Sequence, residues 1–413
     1  MYESQSNTTP RIPPELILRI VELTENSATL AALALTCKSI TMDAQKRLDS
    51  SFFIIKSQKS LRDFCSKVLE NGAQKAGLVR RLDADLRPEG SFQILSDEDI
   101  AIYRDVMSAL VELVNLTELK LDVLNVRDVL GGEDREDMED AEDMEDMEDI
   151  DSEEPMSDLM DCTFQLRNFS LNATTYMSDY NGLDQFLAKQ PTLQRVDLPY
   201  LDNQWIPLNN ISLPHLRLLK APTNFLIAIL PDTEDLQMLV WRASAEGFGA
   251  QPPEICERIS TQLARIRYFS YGEFPTFISE RVSSSSGFSS IAPYLRDLEC
   301  LELFSSGTVE QVRSLERLAS PQKLRMLLLH PMQTESQMFE PSWVFSRFPS
   351  LRFIARPIYS PNLVGGERVI EGYKVFDSTK ASAIGPGEPE PDAVYKITSS
   401  KLLHHHIFEL LPR

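Results

Sequence analysis

The chain has 413 residues, of which 42% are hydrophobic, and its formal net charge is −21. A chain of this length can form two or three ordinary domains, or one small domain followed by an elongated repeat array. The acidic balance excludes the general basic surface that neutralises phosphates, and the sequence therefore disfavours nucleic-acid binding.

The five cysteines lie far apart in the sequence and their number is odd. This spacing matches neither a disulfide framework nor a zinc ribbon, and it favours a reducing compartment. The first ten residues are polar and lack the apolar core of a secretory signal, and no apolar run is long enough to span a bilayer. We therefore expect a protein of the cytoplasm, the nucleus or both, without a membrane partner.

Residues 12 to 55 predict a compact helical module. Pro13 and Pro14 can open a helix, because the first turn has no intrahelical use for the missing N–H groups. A second helix is predicted from Thr29, acting as N-cap, to Cys37, and a third from about Met42 to Leu48. A module of this size buries too little surface to cover its own apolar side chains, so we expect the rest of the chain or another protein to cover them.

The opening Ile12-Pro-Pro-Glu-Leu16, the later Cys37-Lys38 pair and the spacing between them resemble an F-box, as found in fungal F-box proteins. This chain has Ile40 where the family often has Trp. The resemblance implies docking on the Skp adaptor of Skp–cullin–F-box ubiquitin ligases, and through it on a cullin scaffold. Carried over by position, the residues at that interface are Pro13, Leu16, Ile17, Ile20, Leu33 and Cys37. The alternative is a helical cap that packs on the chain's own repeats.

A Leu-x-x-Leu-x-Leu pattern recurs along the rest of the chain, with clean copies at Leu116–Leu121, Leu298–Leu303 and Leu324–Leu329. Degraded copies include a first one at Val79–Ala84 and a last one at Leu351–Arg356. The pattern resembles irregular leucine-rich repeats, in which positions one, four and six point into the core of a parallel sheet. The fold class is therefore α/β: an N-terminal helical F-box followed by a leucine-rich-repeat solenoid with a curved parallel sheet.

Strand alternation places positions three and five of each repeat on the outer, concave face of this sheet. That face is polar in the early repeats and apolar in the later ones. A large apolar face is usually covered by a partner or by another part of the chain. Either a protein substrate or the chain's own C-terminal tail could cover it. The predicted substrate-binding residues are Met238, Tyr268, Phe304, Met326, Leu328 and Phe353.

Residues 133 to 154 hold fifteen carboxylates and a single basic residue, Arg135, so this run alone carries −14. Carboxylates this dense repel one another and form no core, and the run is predicted to be a disordered insert between two repeats. It could be a tolerated solvated loop or a contact for basic partners such as histone tails.

The sequence thus divides into five parts: 11–55, the F-box; 56–132, linker helices and first repeats; 133–160, the acidic insert; 161–358, the solenoid; and 359–413, a tail that could pack on the last repeats. No phosphate-binding loop or nucleophile elbow is present. The adjacent His404, His405 and His406 cannot all face one ion, so neither metal nor cofactor is expected. The predicted function is that of a non-enzymatic adaptor that recruits a substrate to the ligase. The alternative is a ligase-independent repeat scaffold whose acidic insert contacts basic partners.

Overall fold

The computed structural model describes fifteen segments of the chain. The segments are 13–24, 27–36, 40–45, 53–71, 76–87, 97–123, 157–173, 183–198, 210–242, 253–271, 285–304, 315–330, 341–364, 367–378 and 394–395. The chain divides into two compact units, Met1–Thr175 and Tyr176–Arg413.

The first unit combines helices with a short parallel sheet. Its helices are α1 (Pro14–Leu23), α2 (Ser27–Thr36), α3 (40–45), α4 (Gln58–Asn71) and α5 (Asp97–Glu112). Its strands are β1 (Phe53–Ile55), β2 (Arg81–Asp85), β3 (Glu118–Val123) and β4 (Asn168–Ala173), which pair in parallel in chain order. The degraded first repeat predicted at Val79–Ala84 is confirmed as a strand, and β1 precedes it without a recognisable leucine pattern.

The second unit repeats the same plan over more strands. Strands β5 to β11 pair in parallel in chain order, with a short helix or turn in most of the described connections. The strands are β5 (Arg195–Asp197), β6 (Leu218–Pro222), β7 (Met238–Arg242), β8 (Tyr268–Tyr271), β9 (Cys300–Phe304), β10 (Met326–His330) and β11 (Phe353–Val364). The helices are α6 (Leu183–Ala188), α7 (Thr223–Ile229), α8 (Pro253–Arg258), α9 (Ser260–Leu263), α10 (Ser285–Ile291) and α11 (Pro341–Arg347).

The second unit ends in antiparallel strands rather than a further repeat. Strand β12 (Glu367–Asp377) pairs antiparallel with β11, and β13 (Val394–Tyr395) pairs antiparallel with β12. The C-terminal segment thus contributes β12 and β13 to the sheet. Strand β11 runs to Val364, which is beyond residue 358, where the repeats were expected to end.

The leucine pattern maps onto the core as predicted. Position four of one repeat pairs with position four of the next, as Leu219 does with Leu239 and Leu239 with Phe269. The side chains at positions four and six are buried in the described repeats, except for Arg356 at position six of the last copy, which is partly buried. This mixed α/β, mostly parallel arrangement is consistent with a leucine-rich-repeat solenoid.

A second set of bonds fixes the register of successive repeats. The carbonyl oxygen at position two accepts hydrogen bonds from the amides of positions two and three of the following repeat. Thus Arg267 O accepts from Glu299 N and Cys300 N, both at 2.9 Å, and Arg80 O accepts from Thr117 N at 2.8 Å and Glu118 N at 3.1 Å. Since the same pair of bonds recurs in both units, each repeat can stack on its neighbour in only one phase.

We expect Leu121→Ala to lower the free energy of unfolding by about 2–5 kcal/mol, because the fully buried side chain of β3 leaves a cavity. Ile54→Ala on β1 is the matched control, since Ile54 is 51% exposed, and it should cost less than about 1 kcal/mol. Urea denaturation followed by circular dichroism measures both. Equal losses in the two variants would contradict the assignment of Leu121 to the core.

Candidate interaction surfaces

The N-terminal module, α1 to α3, has a small core of its own. The core consists of Val21, Leu30, Ile40 and Ala44, against which Ile17, Leu33 and Ala34 pack. The start of α1 is fixed by the Pro13 carbonyl, which accepts hydrogen bonds from Leu16 N at 3.0 Å and Ile17 N at 3.2 Å. Ile40 is thus a core residue of this module.

Two helix boundaries differ from the sequence prediction. Helix α2 begins at Ser27, so Thr29 lies in its first turn and is not its N-cap. Helix α3 is already helical at Ile40, two residues before the predicted start. The sequence before α2 offers several residues that can cap a helix, among them Asn26, Ser27 and Thr29, so residue type alone does not fix where this helix begins.

Large apolar side chains remain exposed on the same module. Leu16 is 56% and Ile20 47% exposed, and they lie four residues apart on α1, so they form one stripe. Leu35 of α2 and Met42 of α3 are more exposed still, at 89% and 81%. We call Leu16, Leu18, Ile20, Leu35 and Met42 the open apolar surface. Several large apolar side chains exposed within about thirty residues are typical of an interaction site.

The residues predicted for Skp docking separate into two groups. Pro13, Leu16 and Ile20 are exposed, whereas Ile17 and Leu33 are partly buried against the module's own core. Cys37 lies outside the described residues. The sequence reasoning missed Leu18, Leu35 and Met42, because a helix apolar on every side does not indicate which side faces solvent.

The six predicted substrate-binding residues lie on β7 to β11, on the outward face, but most of them are not open to solvent. Tyr268, Met326 and Leu328 are buried, while Met238 and Phe353 are partly buried. The side chain of Phe304 lies outside the described part of the chain. The expected exposure is therefore wrong for Tyr268, Met326 and Leu328. These three pack together with Cys300 and Ala355, and Val375 of β12 packs against them. A binding role for the six residues stays a prediction.

A polar cluster lies within this buried face. The Tyr268 hydroxyl donates a hydrogen bond to Oε2 of Glu302, and Nε2 of His330 lies 2.7 Å from Oε1 of the same carboxylate. All three side chains are buried. A buried carboxylate is costly unless hydrogen bonds or an opposite charge compensate it, so Tyr268 and His330 make the burial of Glu302 possible. No signal in the repeat pattern predicted this cluster, because residues from three separate repeats form it.

The acidic run, the histidine triplet and the expected absence of metal and membrane sites are the remaining sequence features. The acidic run from 133 to 154 and His404 to His406 lie outside the described residues. Within the described ranges, no three His, Cys, Asp or Glu side chains are grouped so that they could hold a metal ion. No helix in the described part of the chain has the length and apolarity to cross a membrane.

Comparison with known proteins gives a match in structure but none to a family model or a curated protein. No protein-family model matches the chain, and no curated protein matches it. Among solved structures, the chain is similar to the leucine-rich-repeat-containing protein LegL7 from Legionella pneumophila, with 14% identity and a TM-score of 0.35. The match covers 74% of this chain and 89% of that protein. At this identity and TM-score the likeness does not indicate a function.

We expect Tyr268→Phe to lower the free energy of unfolding by about 1–3 kcal/mol, because Glu302 loses a hydrogen-bond donor in a buried site. Tyr294→Phe, in the short 3₁₀ helix Ala292–Tyr294, is the control and should be close to neutral in its effect on stability. Thermal and urea unfolding of both variants test this. Equal stability of Tyr268→Phe and the unchanged protein would show that the Glu302 carboxylate does not depend on Tyr268.

The thiols of three buried cysteines should react slowly with alkylating agents. Burial raises the pKa of the Cys65 thiol to about 12 and that of Cys256 to about 11, and burial together with the Glu302 carboxylate raises the pKa of Cys300 well above its ordinary value. Since only the thiolate reacts, we expect native-state alkylation at pH 8 to be at least about a hundredfold slower at these sites than in the urea-unfolded chain. Mass spectrometry of the labelled peptides measures each site. Rapid native labelling of Cys65 or Cys256 would contradict their burial.

Proposed function

We propose that the chain is a substrate-recruiting adaptor of a Skp–cullin–F-box ubiquitin ligase. The observation that carries this proposal is the Leu16 and Ile20 stripe on α1, which is exposed at the positions where the F-box resemblance puts the Skp contact. Exposed apolar residues at helical spacing suit a partner that accepts a helix in an apolar groove. Pro13 begins the same helix and is exposed beside them.

The division between core and surface in α1 supports the proposal. Ile17 and Val21 face the module's own core, while Leu16 and Ile20 do not. A helix that only capped the repeats would be expected to bury its second apolar stripe within the chain as well. The stripe instead leaves an apolar area that association with another protein would remove from water.

The repeat units supply the other half of the proposed role. A stack of repeats presents an extended surface, and repeat folds of this kind generally bind other proteins. The adaptor would hold its substrate close to the ubiquitin-transfer machinery and so raise the local concentration of the two. The chemistry of ubiquitin transfer then belongs to the other subunits, and this chain contributes proximity.

We expect the double variant Leu16→Asp, Ile20→Asp to lose co-purification with the Skp adaptor, because two carboxylates would have to be buried in an apolar interface. Ile54→Asp on β1 is the control, since it places one such charge at an exposed apolar position outside α1 to α3, and it should retain the adaptor. Affinity purification with mass spectrometry, run beside a variant lacking residues 1–55, measures the partner. Circular dichroism checks that each variant is folded.

A folded double variant that still co-purifies with the Skp adaptor would overturn the docking proposal. Recovery of basic chromatin proteins without any Skp adaptor, from the unchanged chain, would favour the ligase-independent scaffold instead. Loss of the adaptor in the Ile54→Asp control would show that charge alone, rather than the α1 stripe, disrupts the association.

A further inference from the structure

The outward face of β5 to β7 carries a group of basic side chains that the repeat pattern does not require. The Lys220 ammonium lies 3.4 Å from Oδ2 of Asp197, and Nη2 of Arg242 lies 3.0 Å from Oδ1 of the same carboxylate. Arg195 stands at position three of its repeat and is the first residue of β5. It is exposed and lies on the same face as Asp197. We call Arg195, Lys220 and Arg242 the basic face.

The charge of this face has the opposite sign to that of the chain. The outward positions of β5 to β7 hold three cations and one carboxylate, a net of +2, in a chain whose net charge is −21. The equivalent positions of β2 and β3 hold two cations and four carboxylates, a net of −2. Asp197 lies between Lys220 and Arg242 and forms an ion pair with each of them.

Apolar side chains lie directly beside the basic face. The strand register places Leu218 next to Arg195 and Met238 next to Leu218, and it places Val240 next to Lys220. Met238 and Val240 are partly buried. They pack against the buried apolar cluster of Tyr268, Cys300, Met326, Leu328 and Ala355, which holds them in position. Arg242 is fixed as well, because its guanidinium donates to the Leu198 carbonyl. Fixed cations next to an apolar strip lower the ordering cost of binding a ligand that matches both.

We propose that this face binds an acidic, extended segment of a partner protein. Its carboxylates would pair with Lys220, Arg242 and Arg195, and an intervening apolar side chain would contact Met238 and Val240. Guanidinium and ammonium groups bind carboxylates through charge-assisted hydrogen bonds, which are stronger than neutral ones. A nucleic acid fits less well, because phosphate binding on this scale needs many more basic residues than three. The inference rests on the part of the proposed function in which the repeats bind a protein, and it is independent of Skp docking.

The test uses the full chain and a fluorescein-labelled peptide that alternates Asp and Leu, with anisotropy as the readout at low salt. We expect saturable binding that weakens as salt is added, because exposed charges are screened. Lys220→Glu should weaken it by about tenfold or more, and Lys220→Gln by less. Lys189→Glu is the matched control, since Lys189 is exposed just after α6 and away from this face, and its affinity should be unchanged.

Several results would overturn the inference. These are no saturable binding, equal weakening in Lys189→Glu, or equal affinity for a peptide that alternates Lys and Leu. Binding only by a variant that lacks residues 133–154 would assign the face to the chain's own acidic run rather than to a partner. Binding of a phosphoserine-and-leucine peptide but not of the Asp peptide would exclude a carboxylate ligand. Thermal unfolding of Lys220→Glu and Lys220→Gln separates lost binding from lost folding, and Skp co-purification, measured separately, reports on the proposed function alone.

Discussion

Within each unit, the structure depends on repeats that stack on their neighbours in a single phase. Two bonds to one carbonyl oxygen at position two set this phase, as at Arg80 in the first unit and Arg267 in the second. A shift of one residue would exchange the inward leucines for the outward polar residues, so the phase also decides which side chains face the core. The position of every surface residue on the sheet follows from this one constraint.

This constraint explains which features could be predicted from sequence. Positions one, four and six are apolar in every repeat but the last, which has Arg356 at position six, so the pattern identified Leu119, Leu219 and Leu301 as core residues, and it also identified the weak copy at Leu82. It could not identify β1, whose single strand precedes the pattern. Outward positions obey no such rule. Their environment depends on residues from neighbouring strands, and the buried positions of Tyr268 and Met326 were therefore not foreseen.

The two faces described on the second unit have different physical character. Around Tyr268 and Glu302 the side chains are buried, and Tyr268 and His330 both pair with the Glu302 carboxylate, so the cluster contributes to the architecture. Around Lys220 the side chains are only partly buried and the cations outnumber the carboxylates. The first arrangement is typical of a structural core and the second of a recognition site. The distinction arises from burial and charge balance, which a single sequence does not display.

The open apolar surface on α1 to α3 has a consequence for the protein's amount in a cell. A folded chain that exposes Leu16, Ile20, Leu35 and Met42 tends to self-associate as its concentration rises, because water favours removal of apolar area by any available route. Copies in excess of a covering partner are then the ones exposed to aggregation and to quality control. Under the proposed function, the supply of the partner that covers these helices would therefore limit how much of the chain accumulates in this state.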